Sequence, residues 1–228
     1  HFIEKFITTM SIALELRNLI RAGFHRVGQI ELQTDVYGYP YAICHYEDAE
    51  LATEPAFGGL DHYEGPDAAR DLSTYAEDGS YRFTKGQTNL KRGWVMTLET
   101  EEDLRQALDQ FYPAATGVFL AQRSGTLEVQ NLRDKLNRQT GMYRFARNIS
   151  DKGAQELVRT VCGPAHQCAK RILWQIDNET PLEDSEASRY DGIVGGLAET
   201  EAIPLLCREA CNHFVAECRR VAKEEAGK

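Results

Sequence analysis

Five of the six cysteines in this 228-residue chain fall between Cys162 and Cys218, and that crowding constrains the fold more than any other feature. Only Cys44 stands apart. A disulfide scaffold distributes its bridges through a small secreted chain, and nothing in this sequence marks secretion. The opening HFIEKFITT lacks the basic-then-apolar order and the small-residue cleavage site of a signal peptide. Met10, followed by SIALELRNLIRAG, reads as a natural start, with residues 1–9 as an addition. Metal, cluster or redox chemistry therefore leads for the crowded thiols.

Charge removes two other classes. The chain carries 26 basic against 35 acidic residues, a net −9, and no run of Lys or Arg exceeds two. A nucleic-acid footprint needs a basic stripe, so no nucleic-acid partner is expected. Mean hydropathy is −0.46, and no apolar run approaches the ~20 residues of a membrane span. A cytoplasmic protein with no membrane partner is the expectation.

Hydrophobic period gives an α+β chain. A helix is expected over 11–22, from Ile12, Leu16, Leu19 and Ile20, closed by Gly23. Segments 27–33 and 39–47 form a hairpin, 80–83 and 93–99 extend its antiparallel sheet, and 48–79 is mostly loop with a helix near 67–76. The acids 99–103 open a helix striped by Leu104, Ala107, Leu108 and Phe111. Beyond Ser124-Gly125 the pattern turns helical: 127–137, then 150–161 capped by Ser150, then 169–176, and a last helix from Pro204 to about Glu225. Residues 177–199 lack periodicity and read as an exposed excursion. The expected division is an α+β domain over 1–125, a small antiparallel sheet with flanking helices, and a helical cluster-binding domain over 126–228.

The thiols form two pairs, Cys162-x5-Cys168 and Cys207-x3-Cys211. On a helix starting at Pro204, Cys207, Cys211 and Cys218 would share one face. Helix N-termini stabilise thiolates through free N–H groups, and Cys207 and Cys168 are placed in or beside first turns. Gly163-Pro164 bends the first loop, so Cys162, Cys168, Cys207 and Cys211 can converge. Four thiolates suit a tetrahedral zinc or an iron–sulfur cluster. Helix-borne C-x3-C and a wide C-x5-C fit the bulkier cubane better than a zinc knuckle, although neither is a ferredoxin run. A redox dithiol and plain buried cysteines remain alternatives, since an unligated Cys behaves as a small hydrophobe. Cys218 lies two turns beyond Cys211, too far to share a compact cluster, and reads as core, as does Cys44.

Other chemistry is sparse. His166 lies within the Cys162–Cys168 loop and is a candidate neighbour or substitute ligand, against the plainer reading of an exposed loop histidine. No H-x-x-x-H, G-x-S-x-G or phosphate loop occurs, and no catalytic residue is assigned. Arg144, Arg147 and Arg208 belong to a basic set that would steady an anionic cluster or, for Arg144 and Arg147, meet the carboxylates of a tetrapyrrole; ordinary solvated helix faces are the alternative.

Several stretches together carry a family likeness. LKRGWVMTLET at 90–100, ALDQFYPAA at 107–115, LNRQTGMYRFAR at 136–147, and the VC-x5-C-x5-W and C-x3-C-x2-F patterns resemble the iron–sulfur region fused to some sirohydrochlorin chelatase-like proteins. The likeness spans about 11–222. It implies a [4Fe-4S] cluster on Cys162, Cys168, Cys207 and Cys211, beside a cobalt- or iron-inserting chelatase of siroheme and cobalamin synthesis. No chelatase domain is recognisable in this chain, so the expected role is accessory: electron transfer or redox sensing, with a separate chelatase or an electron donor as partner and a tetrapyrrole as ligand. The alternative is a zinc-stabilised interaction module.

Overall fold

The computed structural model describes residues 2–162, 168–182 and 201–227. Its first core is a six-stranded mixed sheet with helices packed on it. Helix α1 (Phe2–Arg21) leads to β1 (Arg26–Val27), β2 (Ile30–Val36) and β3 (Tyr39–His45), followed by β4 (Asp61–Glu64), the short α2 (Ala69–Leu72) and β5 (Trp94–Leu98). Helices α3 (Glu101–Phe111) and α4 (Ala115–Arg123) complete this part.

Local chemistry explains these elements. Tyr37 and Gly38 both take positive φ between the paired Val36 and Tyr39, the conformation a two-residue hairpin turn demands. Gly28 separates β1 from β2 at φ 56°, and a Cβ there would stand 2.7 Å from the Tyr112 ring. Only glycine fits. Thr100 caps α3 by accepting from the Asp103 N–H at 3.1 Å, while the Asp103 carboxylate accepts from the Thr100 N–H. The stripe Leu104, Ala107, Leu108 and Phe111 is buried as its spacing requires, with Phe111 stacked on Trp94 at 5.1 Å.

The strand order is β4-β5-β3-β2-β1-β7. Its centre is antiparallel, but both edges are parallel: β4 on β5, and β7 (Ala202–Ile203) on β1. Strand β4 falls where a loop was expected, because its polar sequence DHYE belongs to an exposed sheet edge. Segment 80–83 makes an isolated bridge at Tyr81 instead of a strand. Its alternation is inverted, with Tyr81 and Phe83 exposed and Arg82 buried.

The second core gathers α5 (Leu132–Asn137), a 3-10 stretch Gly141–Asn148, α6 (Asp151–Val161) and α7 (Asn212–Glu225). Ser150 caps α6 by accepting from the Gly153 N–H at 3.0 Å, as its sequence suggests. Two expectations change here. Residues 169–176 are extended and carry β6 (Arg171–Ile172), which pairs in parallel with β8 (Leu206–Cys207). Helix α7 begins at Asn212 rather than Pro204, so Cys207 sits on a strand and shares no helix face with Cys211 and Cys218. The excursion 177–199 lies mostly outside the described residues.

His45 is buried at the end of β3, within 3.0 Å of the Gln29 amide, and burial pushes its pKa below the usual 6.5. The unfolded chain therefore takes up the proton first. This contribution is intact above pH 6.5 and is lost as the pH falls, by up to about 1.4 kcal/mol per pH unit until the folded pKa is reached. Urea unfolding of wild type and His45→Gln at pH 7.5 and 5.5 checks it: the difference in stability should move towards the variant at pH 5.5, and a constant difference would contradict it.

Candidate metal centre

Two of the four candidate thiols are carried by the chain that follows β7. Cys207 ends β8, and the β6 pairing fixes it: the Arg171 N–H donates to the Leu205 carbonyl at 2.8 Å, and the Leu173 N–H to the Cys207 carbonyl at 3.0 Å. Cys211 is the N-cap of α7, and its sulfur accepts from the Phe214 N–H at 3.4 Å. Cys211, not Cys207, thus occupies the helix N-terminus whose partial positive charge favours a thiolate.

Cys168 is held from the other core. It bridges Gln87, and the Ala169 N–H donates to the Gly86 carbonyl at 2.7 Å. A Cβ at Gly86 would meet the Cys168 sulfur at 3.1 Å and Lys170 Cε at 3.3 Å, so the 84–89 loop lies tightly against this thiol. Arg82 holds that loop from beneath. Its buried guanidinium donates to the carbonyls of Ser73, Lys85 and Gln87 and to the Asn89 side chain. Cys162 follows α6 as its C-cap, and its own N–H donates to the Val158 carbonyl at 3.1 Å.

All four thiols are half-buried, whereas Cys44 and Cys218 are fully buried. Burial pushes Cys44 and Cys218 up to about 12, which suits core packing. Cys207 is pushed up to about 11 by burial, with the Trp174 N–H and the Lys170 ammonium pulling the other way. Cys168 is also raised by burial, against the Lys170 backbone N–H and ammonium. Cys168, Cys207 and Cys211 lie near enough to one another that charge on Cys168 or Cys211 raises Cys207, and charge on Cys211 raises Cys168. Loading with a metal must therefore displace protons, and becomes easier as the pH rises.

Among the described residues, no three Cys, His, Asp or Glu side chains are gathered tightly enough to hold a single metal ion. One zinc draws its sulfurs to about 2.3 Å from a common centre. A cubane takes one thiolate at each of four iron corners and spreads them wider. Backbone and indole N–H donors aimed at the Cys211 and Cys207 sulfurs and an ammonium near Cys168 suit an anionic cluster of this kind.

The structure places the other candidates elsewhere. His166 lies outside the described residues. Arg144 is exposed on the 3-10 stretch, lining a cleft with Met142, Phe145, Arg219 and Lys223. That cleft lies along the later turns of α7, away from the Cys211 cap. Arg147 and Arg208 are exposed, and their recorded bonds are through backbone carbonyls, to Arg133 and to the Gln130 N–H. Lys170 is a cation beside the thiols, and its place in the sequence does not set it apart from the other basic residues. Trp174 was legible as a motif position, but its bond to Cys207 was not.

Residues 124–220 match the model of a 4Fe-4S iron-sulfur cluster binding domain, and residues 14–123 that of the DR2241 stabilising domain. The solved structure of DR2241 from Deinococcus radiodurans is similar to this chain with a TM-score of 0.72 and 25% identity. That protein is described as multi-domain, with structural similarity to chelatases but also with two additional novel domains. The likeness covers 94% of this chain and 42% of that one, so the chain spans less than half of its neighbour's length. No curated protein matches it. The chain thus carries the iron–sulfur region found with chelatase-like proteins, and its cofactor is a [4Fe-4S] cluster.

Valine at Gly86 would drive methyl groups into the Cys168 sulfur and the Lys170 stem. Overpacking of this kind costs about 1–3 kcal/mol. The expected fall in Tm is therefore about 2–12 °C, together with faster alkylation of Cys168 as the loop lifts. Unchanged melting and labelling would show that the loop does not press on this thiol.

Proposed function

We propose that this chain, a 4Fe-4S cluster-binding domain preceded by a stabilising domain, holds one cluster on Cys162, Cys168, Cys207 and Cys211 and works as a one-electron carrier or redox sensor for a tetrapyrrole-metallating chelatase. The observation that carries this reading is the match over 124–220, within which four half-buried thiols stand apart from the fully buried Cys218. A full set of thiolates leaves no iron position open to a substrate. That favours electron exchange, sensing or structural support over substrate activation.

Within this reading the protein's own residues divide the work. Helix α7 directs its N-terminus at Cys211, Trp174 and Lys170 face Cys207 and Cys168, and the 84–89 loop covers Cys168 from the first core. When bound, the cluster supplies one-electron redox chemistry. The two matched regions meet at residues 123–124, close to the expected boundary at 125, and we take them as two structural units. We take them as counterparts of the two additional domains of the Deinococcus protein, of whose length the likeness covers 42%. The siroheme or cobalamin setting, the chelatase or electron-donor partner and the cytoplasmic location belong to the same proposal. No helix among the described residues is long and apolar enough to cross a membrane.

Anaerobic reconstitution with iron and sulfide, read by absorbance and by iron, zinc and sulfide analysis, tests the assignment. Wild type should turn brown and bind about four irons per chain. Alanine at Cys162, Cys168, Cys207 or Cys211 should remove most of the iron, while Cys44→Ala and Cys218→Ala should keep it. A colourless chain with about one zinc would establish the structural-module alternative, and full iron in Cys207→Ala would break the ligand assignment.

A further inference from the structure

Trp174 is almost wholly buried in the second core, edge-on to Phe214 at 5.4 Å, and its indole N–H donates to the Cys207 sulfur at 3.3 Å. A buried indole N–H ordinarily finds an oxygen acceptor; here it is spent on a thiol. The Cys207 S–H in turn donates to the Glu209 carbonyl at 3.1 Å. Once iron replaces that proton the second bond is gone, and the Trp174 donor remains on a more negative sulfur, where such bonds strengthen.

Lys170 stands beside the same thiols. Its stem and the Cys168 sulfur flank one point beside Gly86, and its ammonium acts on both Cys168 and Cys207. Both features come from β6 and its flanks: residues 170 and 174 bracket the pair that locks Cys207 into β8. An N–H donor and a positive charge are thus built against two sulfurs from the two ends of one short strand.

We propose that Trp174 and Lys170 are positioning residues that raise the reduction potential of the cluster, by holding an N–H donor against Cys207 and a positive charge beside Cys168 and Cys207. This rests on the ligand assignment above. Reduction adds one electron and no proton, so the thiolate-bound cluster gains one negative charge. The indole N–H and the ammonium stabilise that more negative state the more strongly, and the potential rises.

Dye-mediated titration of the reconstituted full chain with dithionite tests it, with iron and sulfide content measured on every sample. Trp174→Phe keeps the ring and removes the donor; Lys170→Met keeps the stem and removes the charge. Each should lower the ratio of reduced to oxidised cluster at a fixed potential by about three- to tenfold, where tenfold is about 59 mV for a one-electron couple. Lys170→Arg should return the potential towards wild type, which a merely structural role would not require. Fully loaded Trp174→Phe and Lys170→Met that titrate with wild type would overturn the inference. Should Trp174→Phe not hold its cluster, Lys170→Met decides alone. A wild-type chain that takes up no iron and sulfide would instead overturn the ligand assignment, a failure distinct from loaded variants with an unchanged potential.

Discussion

The structure depends on the extended backbone between Ala202 and Cys207. This short stretch closes the first sheet, with β7 parallel to β1, and then pairs with β6 as β8. Ala202, Ile203 and Leu205 are buried in the first core, whereas Cys207 packs on the second. A parallel partner cannot be reached by a tight turn, so both pairings are long-range and costly to form in chain entropy. Once formed, they fix the position of Cys207, and four residues later the cap of α7 fixes Cys211. The two thiols therefore inherit their placement from both cores at once.

Thiolates at Cys168, Cys207 and Cys211 are an electrostatic burden, because charge on one raises its neighbours, and the surroundings offset it unevenly. Cys211 has a helix N-terminus, Cys207 an indole donor, and Cys168 a backbone N–H and a nearby ammonium. Cys162 has the opposite situation, since it terminates α6 at the negative end of the helix. The first core contributes by enclosure: the 84–89 loop, clasped by Arg82, brings Gly86 and Gln87 against Cys168.

Much of this was legible in the sequence, and the failures have identifiable causes. The mixed α and β architecture, the hairpin, the α3 stripe and the Ser150 cap follow from local rules that the structure obeys. The helix expected over 169–176 fails because Ile172, Trp174 and Ile176 alternate with exposed or half-exposed neighbours, a period of two in a window too short to separate from a helical one. The early start for α7 fails similarly: the apolar run from Ile203 to Leu206 fits a strand as well as a helix turn, and only the distant β1 and β6 decide between them. Cys168, Cys207 and Cys211 do lie near one another, but the reason given for Cys207 was wrong, since a strand and not a helix end presents it. Arg82 and Lys170 could not be singled out. Their roles come from long-range placement, and one basic residue looks like another in a chain with 26 of them.

The central claim is that four cysteine sulfurs, one at each corner, hold a single cubane in this chain. A Mössbauer spectrum of the anaerobic protein reconstituted with iron-57 examines this at the iron itself. The account predicts an oxidised [4Fe-4S] signature in which every iron has tetrahedral sulfur coordination, with no ferric or ferrous component outside the cluster. A two-iron spectrum, or one iron in four set apart by a nitrogen or oxygen ligand, would contradict the four-thiolate assignment and return His166 to consideration as a ligand.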